Sequence, residues 1–367
     1  MNYNKDKKLN ILQMYDHMRL GGAETHIITL SSALEDMGHN VYIASPKGPS
    51  LDLINKYKLN HIECNLYDKN NICTLANNVL EIIKKYNIDI IHAHPYVSQA
   101  VGIICSKITN IPVVTTLHSV KPTPSLERTS RDIIKKYICV SDEVINKQIK
   151  KGFSKSQNIL INNSVQIIKK PNIRELFKNK RVNILYASRL DIDKMPSLQK
   201  LLESIPYLVE KGLDVKVNVI GDGAFSEAVK QKCFIFNQIM NSNIITLTKG
   251  SAIIEDDIKE ADIVIGVGRV ILEAIANGKF SICLGNTYYP GLVYKNTLLK
   301  ISKVNFTDRN CNEKLTPEKL FSDINNLVNN LDSEFLKLQD TYKVLCENYS
   351  TTISAKKHIK CYLDVIG

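Results

Sequence analysis

The chain has 367 residues, 44% of them hydrophobic and 23% charged, with nine cysteines and a net charge of +11. That length suits two domains of ordinary size, each able to bury a core without staples, and the composition excludes a disordered or fibrous chain. Met1–Lys8 is polar rather than signal-like, no apolar run reaches the ~18 residues of a membrane span, and the cysteines stand singly without zinc spacing, which points to a reduced, cytoplasmic protein with no metal site.

Short apolar runs alternate with amphipathic stretches from end to end. In the first half, strands are expected at Asn10–Met14, Val41–Ala44, Ile88–His92, Val113–Leu117, Tyr137–Val140 and Ile159–Ile161. Helices are expected between them at Ala23–Met37, Ile72–Tyr86 and Val97–Ile108. A polar, proline-containing link near Val165–Asn172 precedes a second series. Its strands are Asn183–Ala187, Lys216–Ile220, Ile244–Thr248, Ile263–Ile265 and Ser281–Leu284, and its helices are Pro196–Lys211, Ala224–Ile239 and Val270–Ala276. The tail from Pro317 to Leu363 reads as helical. Strands alternating with helices imply parallel βαβ units. The expected architecture is α/β, with two doubly wound Rossmann-like domains, 1–168 and 169–349, facing a central cleft. The helix at about 350–367 is expected to pack back on the first domain.

The charge is uneven. Residues 101–170 hold twelve basic and four acidic side chains, whereas residues 1–100 hold ten of each. Many of the basic residues fall in helix-like stretches from Arg128 to Lys155. A basic helical face suits an anionic membrane or acceptor, and a solvated lysine-rich surface is the plain alternative. No aromatic platform accompanies the charge, which argues against nucleic acid.

In sheets of this kind ligands bind beyond the carboxyl ends of the strands, so the loops there are the candidates for chemistry. Gly21-Gly22-Ala23-Glu24 opens a helix after the first strand, without the third glycine of a dinucleotide fingerprint. His92 and His94 end one strand and His118 follows another. In the second half, Arg189 and Lys194 share a loop after a strand, a spacing that suits a diphosphate clamp or a merely solvated pair. Gly221-Asp222-Gly223 is a tight turn. Gly266-Val267-Gly268 precedes a helix whose Glu273 carboxylate is partly buried, needing either a ligand hydroxyl or Arg269 four residues back. Asp191-Ile192-Asp193 has the spelling of a metal motif but lies within the same loop as Arg189 and Lys194, where it reads as loop spacing.

Taken in order from Ile11 to Gly285, these segments resemble retaining glycosyltransferases of the GT-B fold, family 4 (glycosyltransferase group 1). The resemblance implies transfer of a hexosyl group from a nucleotide diphosphate sugar, expected to be a UDP-sugar, to an acceptor it does not identify, in polysaccharide or glycoconjugate synthesis. It implies no cofactor and no metal, and a cytoplasmic or peripheral membrane setting. Gly21 and Gly22 match the family's glycine loop, His118 the histidine beside the donor sugar, and Arg189 and Lys194 the phosphate-binding pair. Gly266, Gly268 and Glu273 match the end of the paired-glutamate motif. The catalytic set is thus His118, Arg189 and Lys194. The first motif glutamate, eight positions before Glu273, is replaced by Ile265, and Met195 follows Lys194 where glycine is common. That departure keeps open a non-catalytic GT-B partner, and a nucleotide-sugar epimerase is the other alternative.

Overall fold

The structure, a computed structural model, describes residues 7–68, 70–120, 131–178 and 181–367. The chain divides into two compact units, Met1–Asn163 with Thr351–Gly367, and Ser164–Ser350.

The first unit is built on seven parallel strands: β1 (Asn10–Met14), β2 (Asn40–Ser45), β3 (Asn60–Glu63), β4 (Ile90–Ala93), β5 (Val113–Leu117), β6 (Ile134–Cys139) and β7 (Asn158–Leu160). They lie in the order β3-β2-β1-β4-β5-β6-β7. The sheet is covered by α1 (Gly22–Asp36), α2 (Leu51–Lys56), α3 (Ile72–Tyr86), α4 (Val97–Thr109), α5 (Asp142–Lys150) and the C-terminal helix, Thr351–Ile366. Central strands buried on both faces read as continuous apolar runs, and β4 and β5 are buried throughout. The threonines of β5 are tolerated there because they are bonded: Thr115 Oγ1 donates to the Ala93 carbonyl at 2.9 Å. The edge strand β3, Asn-His-Ile-Glu, is half exposed and carries no apolar run, so pattern reading passes over it. The C-terminal helix packs on α1 and β6, burying Ala355, His358, Cys361 and Tyr362.

The second unit holds β8 (Val182–Ala187), α6 (Met195–Glu210), β9 (Val215–Gly221), α7 (Ser226–Ile239), β10 (Ile245–Lys249), α8 (Glu255–Glu260), β11 (Ile263–Gly266), α9 (Arg269–Ala276), β12 (Phe280–Cys283), β13 (Gly291–Leu292), α10 (Lys295–Ser302), α11 (Pro317–Asn329) and α12 (Leu331–Tyr349). The strand order is β10-β9-β8-β11-β12-β13, parallel except for the short edge strand β13. Alternation along β11 divides its residues between two cores. Ile263 and Ile265 join Tyr186, Val219 and Ile282 on one face, while Val264 joins Leu185, Ile220 and Ala274 on the other.

Each sheet reverses its winding once. In the first unit β1 lies between β2 and β4; in the second β8 lies between β9 and β11. The loops leaving the carboxyl ends of β1 and β4, and of β8 and β11, therefore diverge and leave room between them. Such switch points are where open α/β sheets bind ligands.

Candidate functional site

In the first unit, the β1/β4 switch point gathers histidines. Five of the chain's eight, His26, His92, His94, His118 and His358, form one ring-contact network. His94 Nε2 lies 2.9 Å from Gln13 Oε1 and its Nδ1 lies 2.9 Å from His118 Nε2. His92 bridges the Tyr362 hydroxyl and Thr116 Oγ1, each at 2.7 Å. Burial holds His92 and His94 well below the usual imidazole range, and the neighbouring imidazoles push the same way. Both are neutral, structurally bonded rings, whereas His118 is half-buried just past the end of β5. Tyr15 follows β1, and burial together with the Glu24 and Asp16 carboxylates pushes its phenol well above the usual range.

Gly21 and Gly22 open α1 beside this cluster. Gly21 has φ 179, an extended backbone that any residue adopts. What demands glycine is space, since a Cβ there would lie 2.7 Å from Glu24 Oε2. These two glycines belong to the first unit, and Arg189, Lys194, Gly266, Gly268 and Glu273 to the second. The start of α4 is already filled from within: Asp16 accepts from the backbone N–H groups of Tyr96, Val97 and Ser98 at 2.5, 2.6 and 2.7 Å.

In the second unit, β8 and β11 pair directly, with Tyr186 beside Ile265. The Ser188–Lys194 loop and the Val267-Gly268 link are thus neighbours at the switch point. Arg189 Nη1 pairs with Asp191 at 2.9 Å, its Nη2 stands 3.8 Å from Asp193, and Lys194 Nζ stands 3.5 Å from Asp193. The two aspartates thus partly neutralise the cations here. Among the described residues no cluster of three or more histidine, cysteine or acidic side chains is arranged to hold a metal.

Gly268 caps α9 with φ +78, in the left-handed region that favours glycine, and its N–H donates to the Phe306 carbonyl at 2.7 Å. Gly266 is needed for closeness, because a Cβ would meet Val270 Cγ1 at 2.7 Å and the Ala187 carbonyl at 3.2 Å. Glu273 is held by Arg269 at 3.4 Å, so the helix-support pairing does form. Arg269 also donates to the Ser164 carbonyl, and its side chain is only 5% exposed, which makes it a structural cation rather than a phosphate ligand.

Ile265 lies within β11, where a strand was expected over Ile263–Ile265, and is fully buried in the apolar core. Two residues separate β11 from α9, so the position eight before Glu273 falls inside the strand. One expectation is corrected: the basic segment Arg128–Lys155 is not one helical face. Arg128–Ser130 lie outside the described residues, and β6 and α5 occupy most of the rest. Several of its cations are committed internally: Arg131 donates to the Lys151 carbonyl at 2.5 Å, Lys136 to the Ser156 carbonyl at 2.6 Å, and Lys147 to the Val120 carbonyl.

Gln13, His26, His358 and Tyr362 had escaped sequence reading. Gln13 sits in an apolar strand, and 270 positions separate Tyr362 from the His92 it bonds, a distance no local pattern spans.

Residues 20–167 match the model of Glycosyltransferase Family 4. A curated relative, a phosphatidyl-myo-inositol mannosyltransferase of Propionibacterium freudenreichii, is 22% identical over 239 residues. That match covers 59% of this chain and 62% of the relative, so the chain spans under two thirds of that protein's length. Among solved structures, a glycosyltransferase from Rickettsia africae aligns over 99% of both chains at 21% identity and TM-score 0.74. Anabaena HepE, solved in complex with UDP and glucose, aligns over 96% of this chain and 99% of its own at 16% identity and TM-score 0.73. A UDP-N-acetylglucosamine 2-epimerase-like protein from Listeria monocytogenes aligns over 96% and 95% at 13% identity and TM-score 0.62. The fold is GT-B.

Proposed function

We propose that the protein is a glycosyltransferase that moves a hexosyl group, with retention of configuration, from a UDP-sugar to an acceptor in cell-surface polysaccharide or glycoconjugate synthesis. The observation that carries this reading is the second unit's switch point, where Arg189 and Lys194 stand on the loop leaving β8 beside the Gly268-capped start of α9. As a glycosidic bond loosens, negative charge builds on the departing diphosphate. A guanidinium, an ammonium and a helix start stabilise that charge without a metal. Glu273, one turn into α9, is placed to accept from ribose hydroxyls, and its bond to Arg269 fixes the carboxylate's orientation. His118, with Gly21 and Gly22, belongs to the sugar and acceptor side. The family match in the first unit, and the UDP and glucose bound by HepE, support the reading.

The epimerase-like neighbour shares the fold, so shape alone does not separate transfer from isomerisation. A screen of nucleotide diphosphate sugars by calorimetry, followed by mass spectrometry of products, is the direct test. Free UDP plus a glycosylated acceptor, or slow donor hydrolysis, is expected. An isomerised donor would assign the protein to the epimerases, and donor binding without turnover would make it a non-catalytic partner. The exposed lysines at 135, 150 and 155 support attachment to an anionic membrane, the setting in which a lipid-linked acceptor would be met.

A further inference from the structure

The loop that carries Arg189 and Lys194 is tied together at its base. Tyr186, the last residue but one of β8, is buried in the core, and its hydroxyl lies 2.7 Å from Ser197 Oγ in the first turn of α6. Ser197 Oγ also donates to the Lys194 carbonyl at 3.0 Å. Tyr186 stands three residues before Arg189 and Ser197 three after Lys194. One hydroxyl pair therefore joins the strand that enters the loop to the helix that leaves it. Burial pushes the phenol above its usual range, with the Ser197 and Ser188 hydroxyls opposing the shift, so the group stays neutral and keeps its proton. Ile184 on the same face of β8 and Ile265 beside it on β11 are apolar, so packing alone does not call for an oxygen here. The rest of the loop is held from other elements: Leu190 N–H donates to the Asp222 carbonyl at 2.9 Å and Asn286 Nδ2 to the Asp193 carbonyl at 2.5 Å. Tyr186 adds a link from within the core.

We propose that Tyr186 and Ser197 are positioning residues whose hydroxyl pair holds the loop closed, so that the Arg189 guanidinium and the Lys194 ammonium are presented together to a diphosphate. A loop ordered before the ligand arrives spares binding the entropy of fixing it. The diphosphate rests on the glycosyl-transfer reading; the closure of the loop does not.

The experiment combines hydrogen exchange on the unliganded protein with calorimetry, using UDP and inorganic pyrophosphate as probes. Tyr186→Phe keeps the ring and removes only the oxygen, and Ser197→Ala removes its partner from the helix side. In both variants the Lys194 amide, bonded to the Asp191 carbonyl at 2.8 Å, should exchange faster, while the amides of β9 keep their wild-type rates. Affinity for UDP and for pyrophosphate should fall by the same factor, about three- to tenfold, the scale of one hydrogen bond. The double variant should bind like Ser197→Ala alone, because losing Ser197 already breaks the bond to the phenol. Unchanged exchange at Lys194, or faster exchange with unchanged affinity, would overturn the positioning role. Losses that add in the double variant would overturn it too, since the two hydroxyls would then act separately. If one variant does not fold, the other carries the exchange and affinity comparison. Wild-type protein that binds neither probe would overturn the glycosyl-transfer reading and the diphosphate role with it, while the exchange rates would still decide whether the hydroxyl pair orders the loop.

Discussion

Acid should loosen the first unit, and His358 offers a way to measure how much one imidazole contributes. His358 is fully buried in the C-terminal helix, its Nδ1 donates to the Ser354 carbonyl at 2.8 Å, and its Nε2 has no hydrogen-bond partner among the described residues. Burial lowers it from 6.5 to about 4. A proton is therefore bound by the unfolded chain at a pH where the folded unit refuses it, so stability is lost as pH falls from about 6.5 toward about 4 and is fully present above that window. Between pH 7 and 5 the linkage amounts to about 2 kcal/mol for this residue alone. His92 and His94, depressed for the same reason, add to the wild-type loss in the same direction. His358→Leu removes one titrating group and keeps an apolar side chain in the same space. Hydrogen-exchange protection of the C-terminal helix and β4, corrected for intrinsic rates, should fall with acid about 30-fold less in the variant than in the wild type, which is the same free energy expressed as a ratio. Equal acid sensitivity in the two proteins would refute the reasoning.

Arg189→Ala or Lys194→Ala should weaken UDP binding about tenfold or more, since each removes a charge-assisted contact worth roughly 1.5–3 kcal/mol; calorimetry giving wild-type affinity for both would remove them from the phosphate site. Ile265→Glu should destabilise the second unit by several kcal/mol, because it places a carboxylate in an apolar core without a partner, whereas Ile265→Val should cost only about 0.5–1.5 kcal/mol. Thermal melts of the two variants distinguish this from a ligand-facing position, where glutamate would be tolerated. Attachment through the exposed lysines at 135, 150 and 155 predicts binding to vesicles containing acidic lipid that weakens as salt rises toward a Debye length of about 8 Å. Equal partitioning onto neutral vesicles would show that these lysines are only solvated.

What the sequence determined by itself was the βα alternation and the loops to watch. Buried parallel strands such as Val113–Leu117 are contiguous apolar runs, and amphipathic helices such as Ile72–Tyr86 repeat every three to four residues, so both signals are local and survive in one dimension. Arg189, Lys194 and Gly268 were legible because each lies just past a strand it follows in the chain. The tertiary structure decided what depends on which strand lies beside which. Pairing of β8 with β11 sets the Ser188–Lys194 loop beside the Val267-Gly268 link, and pairing of β1 with β4 brings Gln13 to His94. It also decided which core Ile265 joins: the strand was legible in the sequence, but only the packing puts Ile265 with Tyr186, Val219 and Ile282 on one face of the sheet. The ties that fix His92 come from Thr116 and from Tyr362 near the chain's end, because packing joins residues by distance in space, which the chain's linear order does not record.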